Sequence, residues 1–264
     1  DYISSHGHTV FHQPHNGFTF QIGNGAVLAA VSGKPVVCDF RTQDVALGGQ
    51  GAPLVPIGDK YLFADYDYCL NIGGFSNISF DENGIRKAFD ISPSNMALNY
   101  FAAKEGLPFD KDGLLAEQGR VQHDLLAAMN GLDFYKKHHA KSLGKEWFEN
   151  VFLPVVFSFD YSNRDNLATI TEHIACQIAC AVKESSHKKM LMTGGGVKNK
   201  FLTRRIAACL PLMELIFPDE RLIDYKEALI FAFLGYLRIN NEVNCLKTVT
   251  DSKSDHIAGA VYLG

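Results

Sequence analysis

The sequence predicts an α/β protein of two lobes, with a mixed sheet in the second, and three observations predict it. Residues 66–89 read as three successive short strands, the last two joined by Asp81-Glu82-Asn83-Gly84, a hairpin turn signal. Residues 189–193 form an apolar strand that feeds Gly194-Gly195-Gly196 and a helix beginning near Asn199. Residues 166–183 and 226–239 carry apolar side chains at helical spacing. With a last parallel strand at 215–218, the order from Tyr66 onward is three antiparallel strands, helices, strand, helix, strand, helix, which describes an α/β lobe. A length of 264 residues exceeds one typical domain. Residues 1–65 hold strands and one short helix but no opening hairpin. They are expected to be the remainder of a first lobe, with residues 66–264 as the second.

Bulk composition narrows the partners. A formal net charge of −4 gives no basic footprint for nucleic acid. No run of eighteen apolar residues exists, so no helix is expected to span a membrane. No secretory signal is visible, and the opening DYISSHGHTV reads like the middle of a domain. None of Cys38, Cys69, Cys176, Cys180, Cys209 and Cys245 belongs to a CxxC pair. They read as buried free thiols of a reducing compartment, which places the protein in the cytoplasm.

In chain order, residues 4–11 are a strand entering a glycine-containing turn. His6, His8, His12 and His15 are dense there, but no carboxylate or Cys cluster lies beside them; the polar lining of a cleft suits them better than a metal. Phe18, Phe20 and Ile22 alternate as a second strand, and residues 26–32 form a short helix that Gly33-Lys34-Pro35 breaks. Residues 35–40, PVVCDF, are a strand buried on both faces. Residues 41–56, RTQDVALGGQGAPLVP, are a long irregular loop of the kind that is usually functional. Arg41 offers a fork for carboxylate or phosphate. Asp44, Gln50 and the glycine backbone offer groups for a polar ligand; an interdomain connector is the competing reading.

In the central stretch, Tyr66, Tyr68, Leu70 and Ile72 alternate toward one face before Gly73-Gly74 interrupts. The glycine pair marks either a bulge or a place where bare backbone N–H groups cradle an anion. The third strand ends on Asp90, ahead of Pro93 and a helix from Asn95. Asp90 reads as a base at the mouth of a sheet or as a cap for that helix. Residues 110–113 resemble a calcium loop without its bidentate Glu, and so a turn. Residues 113–128 follow as one amphipathic helix. Residues 141–147 read as a basic surface loop, with Lys141 and Lys145 in reach of a phosphate. The run Gly194-Gly195-Gly196 before a helix is a common phosphate seat, although it lacks the P-loop Lys-Ser/Thr. Residues 226–239 read as a buried core helix whose Glu227 suits the helix dipole or faces the cleft.

Several blocks together resemble the anhydro-N-acetylmuramic acid kinase family of bacterial cell-wall recycling. They are SSHGHT (4–9), FQIGN (20–24), DFRTQDVALGGQGAPLVP (39–56), LNIGGFSNIS (70–79), Phe89-Asp90 with Pro93 and Asn95, KSLGKEW (141–147), TGGGVKN (193–199) and KEALIFAFLG (226–235). The resemblance implies an actin/hexokinase-like two-lobed kinase fold with mixed sheets, the first lobe incomplete. It implies that ATP phosphorylates O6 of 1,6-anhydro-N-acetylmuramic acid while water opens the anhydro bridge at C1, giving N-acetylmuramic acid 6-phosphate. ATP and Mg²⁺ are the implied cofactors, with no protein residue assigned as a metal ligand. By the same match Asp90 is the general base, and Arg41, Asp44, Gln50 and His6 hold the sugar. Gly73 and Gly74 meet the phosphates, and Gly194, Gly195, Gly196 and Asn199 meet the adenosine. The implied partners are the amino sugar and ATP, and a homodimer is compatible with them.

The chain departs from the family pattern in three places. The family's opening Gly-Thr-Ser-x-Asp-Gly hairpin has no counterpart. Its glycines around the catalytic Asp stand here as Ser92 and Ser94, and a following Asp as Asn99. Its late Thr-Gly-Ala-Ser stands as Thr250-Asp251-Ser252-Lys253. The first departure leads to the expectation that this chain turns over near background. The competing expectation is a sugar-kinase-fold binding module without turnover.

Overall fold

The strand-forming runs close into ten strands among the residues described by the structure, a computed structural model covering 1–136, 141–183 and 187–264. They are β1 (Ile3–Ser4), β2 (His8–Gln13), β3 (Phe18–Ile22), β4 (Val36–Cys38), β5 (Tyr68–Ile72), β6 (Phe75–Glu82), β7 (Ile85–Pro93), β8 (Lys189–Thr193), β9 (Glu214–Ile216) and β10 (Ala260–Tyr262). The chain divides into two units. The first comprises Asp1–Ala64, Phe80–Ala88 and Tyr225–Gly264, and the second Asp65–Ser79 and Phe89–Asp224.

The second unit is organised by a sheet of order β7-β6-β5-β8-β9. β5 and β8 run parallel, from Tyr68 opposite Met190 to Asn71 opposite Thr193, and β9 pairs parallel with the far side of β8. Leu70, Ile72, Met190, Leu191 and Met192 are completely buried. The one-faced alternation expected over 66–72 therefore does not hold: a strand in the middle of a parallel array is covered on both faces. The helix Asn163–Cys180 starts where the Ser162 hydroxyl accepts from the Asp165 N–H at 3.2 Å. It buries Leu167, Ile170, Ile174 and Ile178.

The single helix expected over 113–128 is two, Leu114–Gln118 and His123–Asn130. Gly119 breaks it: a side chain there would collide with the Arg164 carbonyl, and the chain turns extended. The apolar rhythm survived the break because both pieces pack against the helix Asn163–Cys180. The stretch 141–147 also differs from the surface loop expected. Lys145–Trp147 is a helical turn, and the Lys141 ammonium lies 4.5 Å from the Phe134 ring centroid and 5.8 Å from those of Phe89 and Tyr135.

In the first unit, β4 is the centre of a three-stranded sheet of order β1-β4-β10, and β2 and β3 form a separate hairpin. β1 joins β4 in parallel; β10 joins it antiparallel, with Val261 opposite Val37. That pairing corrects the expected division. A boundary does fall beside residue 65, but the C-terminal segment belongs with the first unit because β10 completes the ladder of β4. The loop 41–56 also carries a helical turn, Thr42–Ala46, and leads into the helix Pro56–Leu62. Each unit combines strands of mixed direction with helices, as the α/β class requires.

The helix Glu220–Ile239 begins a turn and a half before the expected start and buries Lys226. The Lys226 ammonium lies 2.7 Å from the Asp59 carboxylate, with side chains only 7% and 4% exposed. A buried pair of this kind need add little net stability, but removing one partner leaves a charge in a low-dielectric interior. Lys226→Ala is expected to lower unfolding free energy by about 3–5 kcal/mol in a urea titration, whereas Lys60→Ala on the neighbouring surface should change it by less than about 0.5 kcal/mol.

Candidate active site

The register of β5 against β8 places the two glycine turns of the second unit at one end of the sheet. β5 ends at Ile72, directly before Gly73-Gly74, and β8 ends at Thr193, directly before Gly194-Gly195-Gly196. Because the strands are parallel and Asn71 stands opposite Thr193, both turns leave at the carboxyl end. Crevices outside the carboxyl ends of parallel strands are where α/β sheets bind ligands.

The glycines differ in what they do there. Gly194 has φ +84, and a side chain on it would crowd Ile72 O at 2.7 Å. A side chain on Gly196 would run into the Ile72 side chain. Both are glycine so that the turn can lie against β5. Gly195 is exposed, and its added carbon would meet only Asn95 Nδ2, at 3.8 Å. The Gly73 carbonyl accepts from the Asn95 N–H at 3.1 Å, and the Gly74 carbonyl from the N–H groups of Ser94 and Met96 at 2.8 and 3.1 Å. The pair therefore caps the helix Asn95–Lys104, and Gly74 itself stays exposed. Asn199 caps the next helix, Lys200–Cys209: its Oδ1 accepts from the Leu202 N–H at 3.0 Å.

Asp90 sits near the end of β7, whose final residues lie beside the start of β6: the hydroxyls of Ser76 and Ser92 are 3.0 Å apart. Asp90 does not cap the helix at Asn95; the glycine carbonyls do. Its own N–H donates to the Lys141 carbonyl at 2.9 Å, and its Oδ2 accepts from the Leu143 N–H at 2.7 Å. Burial raises its pKa to about 6, with the Leu143 N–H pulling the other way. A carboxylate held by one oxygen, with a pKa close to neutrality, is poised to take a proton. Ser92 and Ser94, at positions where the family pattern has glycine, are fully buried.

The first unit gathers His6 and Arg41. The Arg41 Nε and Nη2 groups donate to His6 Nε2 at 3.0 and 2.7 Å, and Nη1 donates to the Gly51 carbonyl at 2.5 Å. Since Nε2 accepts, the imidazole proton is on Nδ1, which donates to the Gly7 carbonyl at 2.9 Å. Burial first, and the Arg41 charge second, lower the His6 pKa, so the ring is held neutral. Glu227 is foremost among the groups that support the Arg41 charge against burial.

Asp44 and Gln50 separate. Gln50 is exposed, tied by its N–H to the Thr250 carbonyl at 2.7 Å. Asp44 is completely buried. Its Oδ2 accepts from the Gly51 N–H at 2.6 Å, and its Oδ1 accepts from Thr250 Oγ1 at 2.7 Å and the Cys245 thiol at 3.2 Å. Asp44 is thus turned into the interior of its loop. Its partners Thr250 and Cys245 come from the far end of the sequence; Thr250 opens the stretch that stands for the family's Thr-Gly-Ala-Ser, and no local pattern marks Cys245. Nor does any marks the Leu143 N–H on Asp90, a backbone group.

The family model described as anhydro-N-acetylmuramic acid kinase matches residues 1–264. A protein of that name from Sulfurovum sp. (strain NBC37-1) is 34% identical over 270 residues, covering 99% of this chain and 74% of that protein. Another from Legionella pneumophila (strain Corby) is 36% identical over 271 residues, covering 98% and 74%. Among solved structures, component A of the Acidaminococcus fermentans (R)-2-hydroxyglutaryl-CoA dehydratase aligns over 67% of this chain and 63% of its own, with a TM-score of 0.41 and 18% identity. That last likeness is partial.

The glycine geometry yields a contrast. Gly196→Ala is expected to cost about 1–3 kcal/mol by overpacking against Ile72. Gly195→Ala should stay within about 0.5 kcal/mol. Thermal melting of the two variants checks it, and equal losses would mean that the turn does not lie on β5 as described.

Proposed function

The chain belongs to the anhydro-N-acetylmuramic acid kinase family, ATP-using enzymes of peptidoglycan recycling with an actin/hexokinase-like α/β fold, and from that premise we propose how its residues divide the work. The observation that carries the proposal is Asp90: a half-buried carboxylate with a pKa near 6, held through one oxygen at the sheet end that carries both glycine turns. Asp90 takes a proton from a water molecule. The water oxygen bonds to C1 of the anhydro sugar and the C1–O6 bond breaks. O6 then bonds to the γ-phosphorus of ATP as the bond to ADP breaks, and the proton on Asp90 returns to solvent. The products are N-acetylmuramic acid 6-phosphate and ADP.

Backbone N–H groups near exposed Gly74 face the phosphates, and exposed Gly195, between two packed glycines, leaves room for the adenosine. Asn199 serves by fixing the start of the helix Lys200–Cys209 beside that turn. Mg²⁺ binds chiefly through substrate phosphates and water where no all-protein cage is built, which suits an ion carried in on ATP. When bound, it supplies charge neutralisation for phosphoryl transfer. In the first unit, Arg41, set by neutral His6 and the Gly51 carbonyl, binds the sugar together with Gln50, and Asp44 holds their loop in shape. The six cysteines are free thiols, which suits work in the cytoplasm. The family match and the named relatives favour the kinase over a binding module without turnover.

Two outcomes test these roles. Asp90→Asn should retain sugar binding while kcat falls by about two to four decades. In the unchanged protein kcat should decline as pH drops through about 6, because burial disfavours the charged carboxylate and the base is lost on protonation. Turnover in Asp90→Asn within tenfold of normal removes Asp90 as the base. Arg41→Lys keeps the charge but not the fork, so KM for the sugar should rise about tenfold or more with kcat little changed. An unchanged KM makes Arg41 a strut of the loop alone.

A further inference from the structure

The pocket around Asp44 in the first unit holds groups that the proposed kinase chemistry does not use. Cys245 and His256 are partners in an isolated antiparallel bridge, each N–H donating to the other's carbonyl at 3.1 Å. Directly opposed residues in such a pair project their side chains to the same side. On that side lies Asp44, its Oδ1 at 3.2 Å from Cys245 Sγ and 3.6 Å from His256 Nε2. The three ligand atoms fall within 4.8 Å of one another, and the side chains of Asp44 and His256 are 0% and 7% exposed.

The imidazole shows what the cluster lacks. His256 Nδ1 lies 3.1 Å from the Ser254 carbonyl, which can only accept, so Nδ1 carries the proton. Its other ring nitrogen, Nε2, lies 3.6 Å from an Asp44 carboxylate oxygen. Nε2 is buried with no hydrogen-bond partner. A buried ring nitrogen left without a hydrogen-bond partner is costly, and a bound metal ion would engage it.

We propose that Asp44, Cys245 and His256 bind a zinc-type divalent ion that fastens the sugar loop to the C-terminal segment. The separations fit: with bonds of about 2.0–2.1 Å to nitrogen and oxygen and about 2.3 Å to sulfur, the edges of a tetrahedral zinc site are about 3.3–3.6 Å. Thr250 Oγ1, donating to Asp44 Oδ1 at 2.7 Å and 3.9 Å from Cys245 Sγ, borders the fourth side, which a water molecule would fill. Zinc-bound histidines characteristically donate their other ring N–H to a backbone carbonyl, as His256 does to Ser254. On loading, zinc bonds to Cys245 Sγ, the thiol proton leaves to solvent, and the thiolate and carboxylate together balance the ion's charge. The Arg41 charge nearby is offset by Glu227, and its fork is engaged by His6 and Gly51. Magnesium does not compete, because sulfur and imidazole are poor ligands for it.

Zinc and cobalt(II), each added to the full chain, decide the matter. A second group, Glu172 with Cys176 and Cys209, also places possible ligand atoms together, although Glu172 is already engaged by Arg205. The control is therefore the double variant Cys176→Ser, Cys209→Ser. After equilibrium dialysis against micromolar zinc, the unchanged chain and the control should each retain one zinc per chain and melt at a higher temperature than after chelation. Cobalt should give both a thiolate charge-transfer absorption. Cys245→Ser and, separately, His256→Gln should lose the zinc-dependent rise in melting temperature, and Cys245→Ser the absorption. Zinc retention well below one per chain in the unchanged protein overturns the proposal and makes His256 a protonated partner of Asp44. So does an absorption that persists in Cys245→Ser or disappears in the control.

Discussion

The parallel ladder between Tyr68–Asn71 and Met190–Thr193 is the constraint on which the second unit depends. It joins segments separated by most of the unit's helices, and it has one workable register. Both strands are buried on both faces, so a slip of one residue would exchange every side chain between two packed layers. The same slip would carry Gly194 and Gly196 off Ile72, where no other residue type fits. The ladder thus sets the core and the two glycine turns in one step. The turns in turn start helices: Gly73 and Gly74 cap Asn95–Lys104 with their carbonyls, and Asn199 caps Lys200–Cys209.

Burial does chemical work at two places by the same physics. Asp90 is kept from charging too readily because its environment solvates the carboxylate poorly, and a single N–H from Leu143 limits the effect. His6 is kept neutral by burial and by the Arg41 charge, so that its Nε2 can accept from the Arg41 fork. In one case burial brings a carboxylate's pKa toward neutrality; in the other it favours an acceptor that aims a cation. Neither needs an unusual residue. Each needs a backbone group fixed at hydrogen-bond distance, the Leu143 N–H or the Gly7 carbonyl.

The first unit is held from its far end. β10 completes the ladder of β4, Lys226 meets Asp59, and Thr250 and Cys245 close over Asp44. The loop 41–56 therefore takes its shape from residues about two hundred positions away. Asp44 reads as a polar ligand group in a glycine-rich loop, yet its oxygens are turned inward and fully engaged. A buried carboxylate with several donors is an organising centre, because leaving it unsatisfied would be costly.

By itself the sequence determined the strands of the second unit, its longer helices and the chemical residues that mark the family, but not β10 or the short helices. The reason is that periodicity and turn residues are local: the hairpin at Asn83-Gly84 and the apolar run of β8 act over a few residues. It also placed the glycine runs at strand ends, since strand boundaries are local too, although β7 continues past the expected end at Asp90 to Pro93. Tertiary structure alone decided that Gly119 breaks a helix whose apolar rhythm continues, because the obstacle is the Arg164 carbonyl of another element. It decided that the C-terminal segment joins the first unit and that Asp44 faces inward. It also brought Cys245 and His256 to one side of a bridge. Such outcomes turn on which distant groups share a face, and no pattern along the chain records that.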